Sequence, residues 1–203
     1  MILAVIAVIG SIVATGFTYF SVANLFSTIT GHPTVGETNL TVETSAQINF
    51  TTFSVNFGSG RVNAGSTAAN LFTTGAGSVT GGNWTAKTGL ILENTGNVNV
   101  SLNLTGAKTA AQFVGGTNPV YRWNITNAEA NSCVNGSAIT NGEVGLDLNT
   151  FHNVNTTVGL SRVCPTFRFD STADQIRIDF NITVPEDSLT GALGDVITAT
   201  VYT

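Results

Sequence analysis

Residues 1–31 read MILAVIAVIGSIVATGFTYFSVANLFSTITG, and no Lys, Arg, Asp or Glu occurs before Glu37. An apolar stretch of about 30 residues predicts a helix of roughly 45 Å at 1.5 Å per residue. That is longer than the ~30 Å hydrocarbon core of a bilayer. A helix apolar on every side cannot rest on the surface of its own domain and needs lipid or further copies of itself. Gly10 and Gly16 lie inside the stretch. Gly weakens a helix in water but becomes favourable where a second helix comes close, so these two are candidate helix-packing positions. Gly31-His32-Pro33 then ends the helix, because Gly can cap it and Pro disfavours helix in the residue before it. The stretch lacks the basic start and cleavage pattern of a secretory signal. It also lacks the flanking Lys or Arg that orient a membrane span. The expectation is that a basic leader has been removed and Met1 is the mature N-terminus.

The division that follows is 1–31 as a hydrophobic polymerisation helix and 32–203 as a second domain. About 170 residues suffice for one β-sandwich with a good core. Only 9% of residues are charged, against roughly 25% in ordinary soluble domains. The net charge of −5 leaves no basic patch for nucleic acid. With 42% hydrophobic residues, the chain has enough apolar surface to fold.

Beyond Pro33 the hydrophobic period changes to two. Leu40 and Val42 alternate with polar neighbours, and Ile48 and Phe50 continue the pattern. Phe53, Val55 and Phe57 fall on the other parity, so Thr51-Thr52 must absorb a slip as a bulge or bend. GLILENTGNVNVSLNLT, residues 89–105, reads as a hairpin turning at Asn94-Thr95-Gly96-Asn97, residues that tolerate positive φ. Val98, Val100, Leu102 and Leu104 then face one way, and Asn97, Asn99, Ser101 and Asn103 the other. A short helical pattern spans Thr109 to Phe113, and 120–125 suits a strand. In the last unit Ile176, Ile178, Phe180, Ile182 and Val184 alternate with Arg177, Asp179, Asn181 and Thr183. Pro185 ends that strand and 196–202 returns. Strands at short spacing imply an antiparallel sandwich. The fold class read from the sequence is therefore α+β, a long apolar N-terminal helix followed by a β-sandwich head.

Cys133 and Cys164 are the two cysteines, and His32 and His152 the two histidines. That is too few ligands for zinc, and no CxxC occurs. In an extracellular chain the cysteines pair as a disulfide; in a reducing compartment they are two thiols. Nine N-x-S/T sequons start at Asn39, Asn49, Asn83, Asn99, Asn103, Asn124, Asn135, Asn155 and Asn181. Chance alone gives about five in a chain this rich in Asn, Ser and Thr. Asn39, Asn49, Asn99, Asn103 and Asn181 sit on the polar parity of their strands, as a glycan acceptor must. Incidental occurrence in Asn/Thr-rich strands explains the same placement. His32 or His152 with Asp147 or Asp170 lacks any nucleophile-elbow signature, so no catalytic residues are assigned and the chain is read as no enzyme. Asp170, Asp174 and Asp179 read as solvated strand-edge charges rather than a cation site. Trp84, Trp123 and Tyr121 read as core or subunit contacts. No metal or cofactor is expected.

The uncharged helix feeding an Asn/Thr-rich β-domain resembles the archaeal type IV pilin superfamily, which includes adhesive pilins and archaellins. GLILENTGNVNV and the closing DFNITVPEDSLTG…ITATVYT look like the immunoglobulin-like heads of those proteins. The resemblance implies a basic leader removed just before the helix, and this chain begins where a processed member begins. Bacterial members carry an acid near the start of the mature helix; here Val5 stands in that place, which fits the archaeal members. Register between neighbours would then rest on packing at Gly10 and Gly16. The implied function is a structural subunit of an extracellular filament, held in the membrane before assembly, its partners being copies of itself and, for an adhesive pilus, a surface or host-cell target. Burying roughly 1,500–2,500 Å² of apolar surface per helix at ~25 cal/mol/Å² stabilises such a polymer by tens of kcal/mol gross. An adhesive pilus is preferred to an archaellum. A single-pass membrane-anchored surface glycoprotein is the alternative from a different class.

Overall fold

The computed structural model describes residues 38, 40–134, 144–145, 148–157 and 161–203. The chain divides into two compact units, Met1–Val42 and Glu43–Thr203. Of the first, only residues 38 and 40–42 are described, and they form no strand. The second is built from β1 (Ile48–Thr52), β2 (Ala68–Phe72), β3 (Ser78–Thr80), β4 (Leu90–Asn94), β5 (Val100–Gly106), α1 (Ala110–Phe113), β6 (Val120–Asn127), β7 (Cys133–Val134), β8 (Val144–Gly145), β9 (His152–Asn153), β10 (Ser161–Phe167), β11 (Gln175–Pro185) and β12 (Ile197–Tyr202).

The α+β expectation is corrected here. Among the described residues the protein is a two-sheet β-sandwich whose one helix, α1, has four residues. The long helix expected over 1–31, with Gly10 and Gly16, lies outside the described residues. α1 begins at a capping box in which Thr109 and Gln112 exchange side-chain and backbone hydrogen bonds. It ends after one turn, where Gly115 turns to a positive φ of 67°, a conformation suited to Gly.

The first sheet has seven strands built around β11. Along one side of β11 runs β6, paired from Ile176↔Asn127 to Thr183↔Val120. Along the other side β4 pairs with Gln175–Ile178 and β2 takes over at Asn181–Pro185. β1 pairs with β4, β3 with β2 and β9 with β6. Thr51 is the extra residue between the pairs Phe50↔Leu92 and Thr52↔Ile91, the bulge that the parity slip required. The second sheet runs β12-β5-β10, with β7 antiparallel and β8 parallel to β10. The sandwich is thus not purely antiparallel.

The hairpin expected over 89–105 is overturned. β4 lies in the first sheet and β5 in the second, so residues 95–99 cross between sheets. The Asn94 side chain points inward and donates to the carbonyls of Val98 and Phe167, tying the crossing to β10. Residues 43–47 lie over this crossing. Asn97 accepts from the Ser45 N–H and donates to the Glu43 carbonyl, and a Cβ at Gly96 would run into the Ser45 carbonyl. β11 and β12 likewise belong to different sheets. The inward faces expected for Val100, Leu102 and Leu104 of β5 and for Ile176, Ile178, Phe180 and Ile182 of β11 are the buried ones. Leu90, Leu92, Ile176, Ile178, Phe180 and Ile182 from one sheet meet Val100, Leu102, Leu104 and Phe167 from the other in one core.

Where β11 changes partner, the ladder is completed by side chains. The Thr73 N–H bonds the Phe180 carbonyl, and the Phe180 N–H bonds the Thr73 hydroxyl at 2.7 Å. That hydroxyl donates to Asp179 at 3.0 Å. Arg177 pairs with the same carboxylate at 2.9 Å and also donates to the carbonyls of Thr73 and Gly75. Asp179 is therefore no solvated edge charge; it is 2% exposed and held by two partners. Thr73→Val deletes the acceptor of a buried N–H, so unfolding in urea should show a loss of about 1–3 kcal/mol. The exposed neighbour change Thr74→Val should stay within about 0.5 kcal/mol.

Candidate functional site

The sequons separate by depth rather than by parity. Asn49, Asn83 and Asn99 are exposed. The Asn83 side-chain oxygen is fixed by the Arg61 N–H at 2.7 Å. Asn155 and Asn181 are half-buried. Asn103 and Asn124 are buried, 3% and 7% exposed, and their side-chain oxygens find no hydrogen-bond partner among the described residues. Asn103 does lie on the polar parity of β5, but β5 is flanked on both sides, with Arg162 and Thr200 standing beside that residue. Asn181 lies opposite Phe72, whose ring meets Phe151 edge-on at 6.3 Å. Asn39 and Asn135 lie outside the described residues. The structure therefore leaves three open acceptors and closes two of the nine candidates.

Cys133 and Cys164 form a disulfide between β7 and β10, with Cα atoms 5.6 Å apart. Its ends are 31 residues apart, and closing a loop of that size stabilises by roughly 3–4 kcal/mol in the chain-entropy account. Such a bond persists in oxidising compartments. Among the described residues no group of three or more His, Cys, Asp and Glu is placed to hold a metal ion. None of their helices is long and apolar enough to cross a membrane.

Sequence reasoning missed a cleft of about 1280 Å³ between the β1 side of the first sheet and the segment 186–197. Phe50, Phe57, Trp84, Phe113, Tyr121 and Phe180 line it. The Tyr121 ring stacks on Phe180 at 6.0 Å and meets Phe113 at 4.7 Å. Trp84 is wedged between Gly60 and Gly82, where any Cβ would strike its ring. At one end the Asp195 carboxylate oxygens are out of solvent and face the Tyr121 phenol. Burial first, and this nearby carboxylate second, push the Tyr121 phenol far above its ordinary value, so it stays protonated. Trp123 and Tyr121 are core residues, as expected. The aromatic walls offer apolar contact, with Asp195, Glu186 and the hydroxyls of Ser54, Ser59 and Ser188 also on the lining.

A second acidic group was also misread. Asp174 is 8% exposed. Burial, then the nearby Glu129 and Glu93 carboxylates, raise its carboxyl above the ordinary value. Its own N–H donates to Glu129 at 2.9 Å. Asp170 and Asp187 go the other way, lowered by hydrogen bonds from Thr172 and Thr117.

Because the folded state holds the Asp174 proton more tightly than the unfolded chain, ionisation penalises folding as pH rises through the ordinary carboxylate value of 3.8, and the penalty is complete above the raised value. Asp174→Asn should therefore melt higher than the parent at pH 7, with the gain shrinking toward zero as the pH falls through that window. Glycopeptide mass spectrometry of the native protein should find occupancy at Asn49, Asn83 or Asn99 and none at Asn103 or Asn124; a glycan on either buried position is incompatible with this sandwich.

No protein-family model, curated protein or solved structure matches this chain.

Proposed function

We propose that this protein is the structural subunit of an extracellular filament of the archaeal type IV pilus kind, adhesive rather than motile. The observation that carries the reading is the sequence of residues 1–36, apolar and without a single charge, joined to a compact β-unit of low charge. So much contiguous apolar surface is not left in water. Lipid shelters it before assembly, and copies of the same segment shelter it afterwards. Repeated head-to-tail contacts that do not close produce a helical polymer. The disulfide fits an oxidising exterior, and the exposed acceptors Asn49, Asn83 and Asn99 fit a solvated, glycan-bearing outer surface.

The second reading, a single-pass surface glycoprotein, rests on the same apolar segment and predicts isolated subunits in the membrane. Electron microscopy of material sheared from the cell surface separates the two. Filaments whose protein is this chain are expected; recovery of the chain only from the membrane fraction, as isolated copies, overturns the proposal. Deleting the gene should abolish surface attachment while leaving swimming intact, and loss of swimming instead would make the filament an archaellum.

A further inference from the structure

β12 is the outer strand of the second sheet, and among the described residues no strand lies on its far side. Its hydrogen-bonding direction follows from the register. The Ala107 N–H donates to the Val196 carbonyl at 3.0 Å, immediately before the ladder begins. Opposed residues of an antiparallel pair alternate between bonded and non-bonded. Hence Thr198, Thr200 and Tyr202 bond to Thr105, Asn103 and Ser101. Ile197, Ala199 and Val201 turn their N–H and C=O groups to the open side. The Gly106 N–H supports this phase: opposite Ile197 in the register, it bonds instead to the Asn155 carbonyl.

Protein edges are normally blunted by shortness, Pro, charge or a bulge. The other outer strands show such devices. β3, β7, β8 and β9 have two or three residues, and β1 is broken by the Thr51 bulge and carries the exposed sequon Asn49. β12, ITATVY, has six residues with no charge, no Pro and no sequon. Apolar surface surrounds it, with Val196 66% and Tyr202 50% exposed and Leu193 open beside them.

We propose that this edge pairs with β12 of a second copy, antiparallel, about a two-fold axis through Ala199. Three outward residues centred on Ala199 make the edge self-complementary: Ala199 faces Ala199 of the second copy, and Ile197 faces Val201. Neither edge carries charge, so nothing repels the approach, although the whole chain is at −5. The contact joins two second sheets into one continuous sheet. It is isologous and therefore closes as a dimer, a contact separate from one that propagates a filament.

The test is amide hydrogen exchange with sedimentation on the full-length chain in detergent micelles, across a wide dilution series. On association the amides of Ile197, Ala199 and Val201 should slow about tenfold or more, while those of Thr198, Thr200 and Tyr202 are protected at every concentration. Ala199→Pro removes the central outward N–H, a position where an edge strand tolerates Pro, and should leave monomers. Thr198→Lys keeps the backbone intact, sets like charges across the axis and should weaken the dimer in the same direction. Fast exchange of Ile197, Ala199 and Val201 at all concentrations overturns the proposal, as does a dimer that survives both variants. Filaments whose β12 amides stay open would sink this pairing and leave the filament reading standing; monomer-dimer exchange without filaments does the reverse.

Discussion

The sandwich depends on one strand having three neighbours. β11 must be bonded along its whole length, yet β4 and β2 each reach only half of one side. At the junction a buried backbone N–H would lose its partner, a cost of the order of 1–3 kcal/mol. Thr73 supplies both a backbone and a hydroxyl bond there; Asp179 accepts from that hydroxyl, and Arg177 in turn holds the Asp179 carboxylate and the Thr73 carbonyl. Gly89 allows the close approach, since a Cβ would strike the Ile178 carbonyl and the Asp179 carboxylate. The polar cluster is worthwhile because each member is satisfied. Removing one leaves a charge or an N–H stranded in a low dielectric.

That arrangement explains which parts of the fold were legible. Alternation identifies the face on which a residue lies, and so Ile176, Ile178, Phe180 and Ile182 were found, as was the slip at Thr51. Alternation carries no information about which sheet a strand joins. Leu90 and Leu92 point inward whether β4 and β5 form a hairpin or cross the core, and the deciding bond, Asn94 to the Phe167 carbonyl, spans 73 residues of sequence. Depth is equally hidden. Asn49 and Asn103 both occupy polar parity, but one stands on an outer strand and the other between two neighbours. Asp174 and Asp179 looked like solvent charges because their partners, Glu129 and Thr73, are distant in the chain. With two cysteines only one pairing was possible, but the choice between a disulfide and two thiols stayed open until the structure brought Cys133 and Cys164 together.

The candidate surfaces share a low density of charge. Acceptors, cleft and open edge all occur on a molecule with few ions to order water or repel a neighbour. Such a surface relies on steric and covalent means to govern contact. A sugar at Asn49 would shield β1, whereas β12 has no comparable cover. Self-association is then directed by which backbone groups are left unpaired more than by long-range fields, which salt screens within about 10 Å.

The clasp between residues 43–47 and the β4–β5 crossing has a mechanical consequence. Tension arriving at Glu43 meets the Asn97 side chain before it reaches the ladder, because Asn97 grips both the Glu43 carbonyl and the Ser45 amide. From there it passes through β1 into β4 and on to β11, all within one layer. The clasp also reaches the opposite layer, because residue 97 stands in the crossing that runs straight into β5. Rupture under tension is governed by the height of the unfolding barrier rather than by equilibrium stability, and the three hydrogen bonds between Asn97 and residues 43–45 are the first that a pull on Glu43 loads.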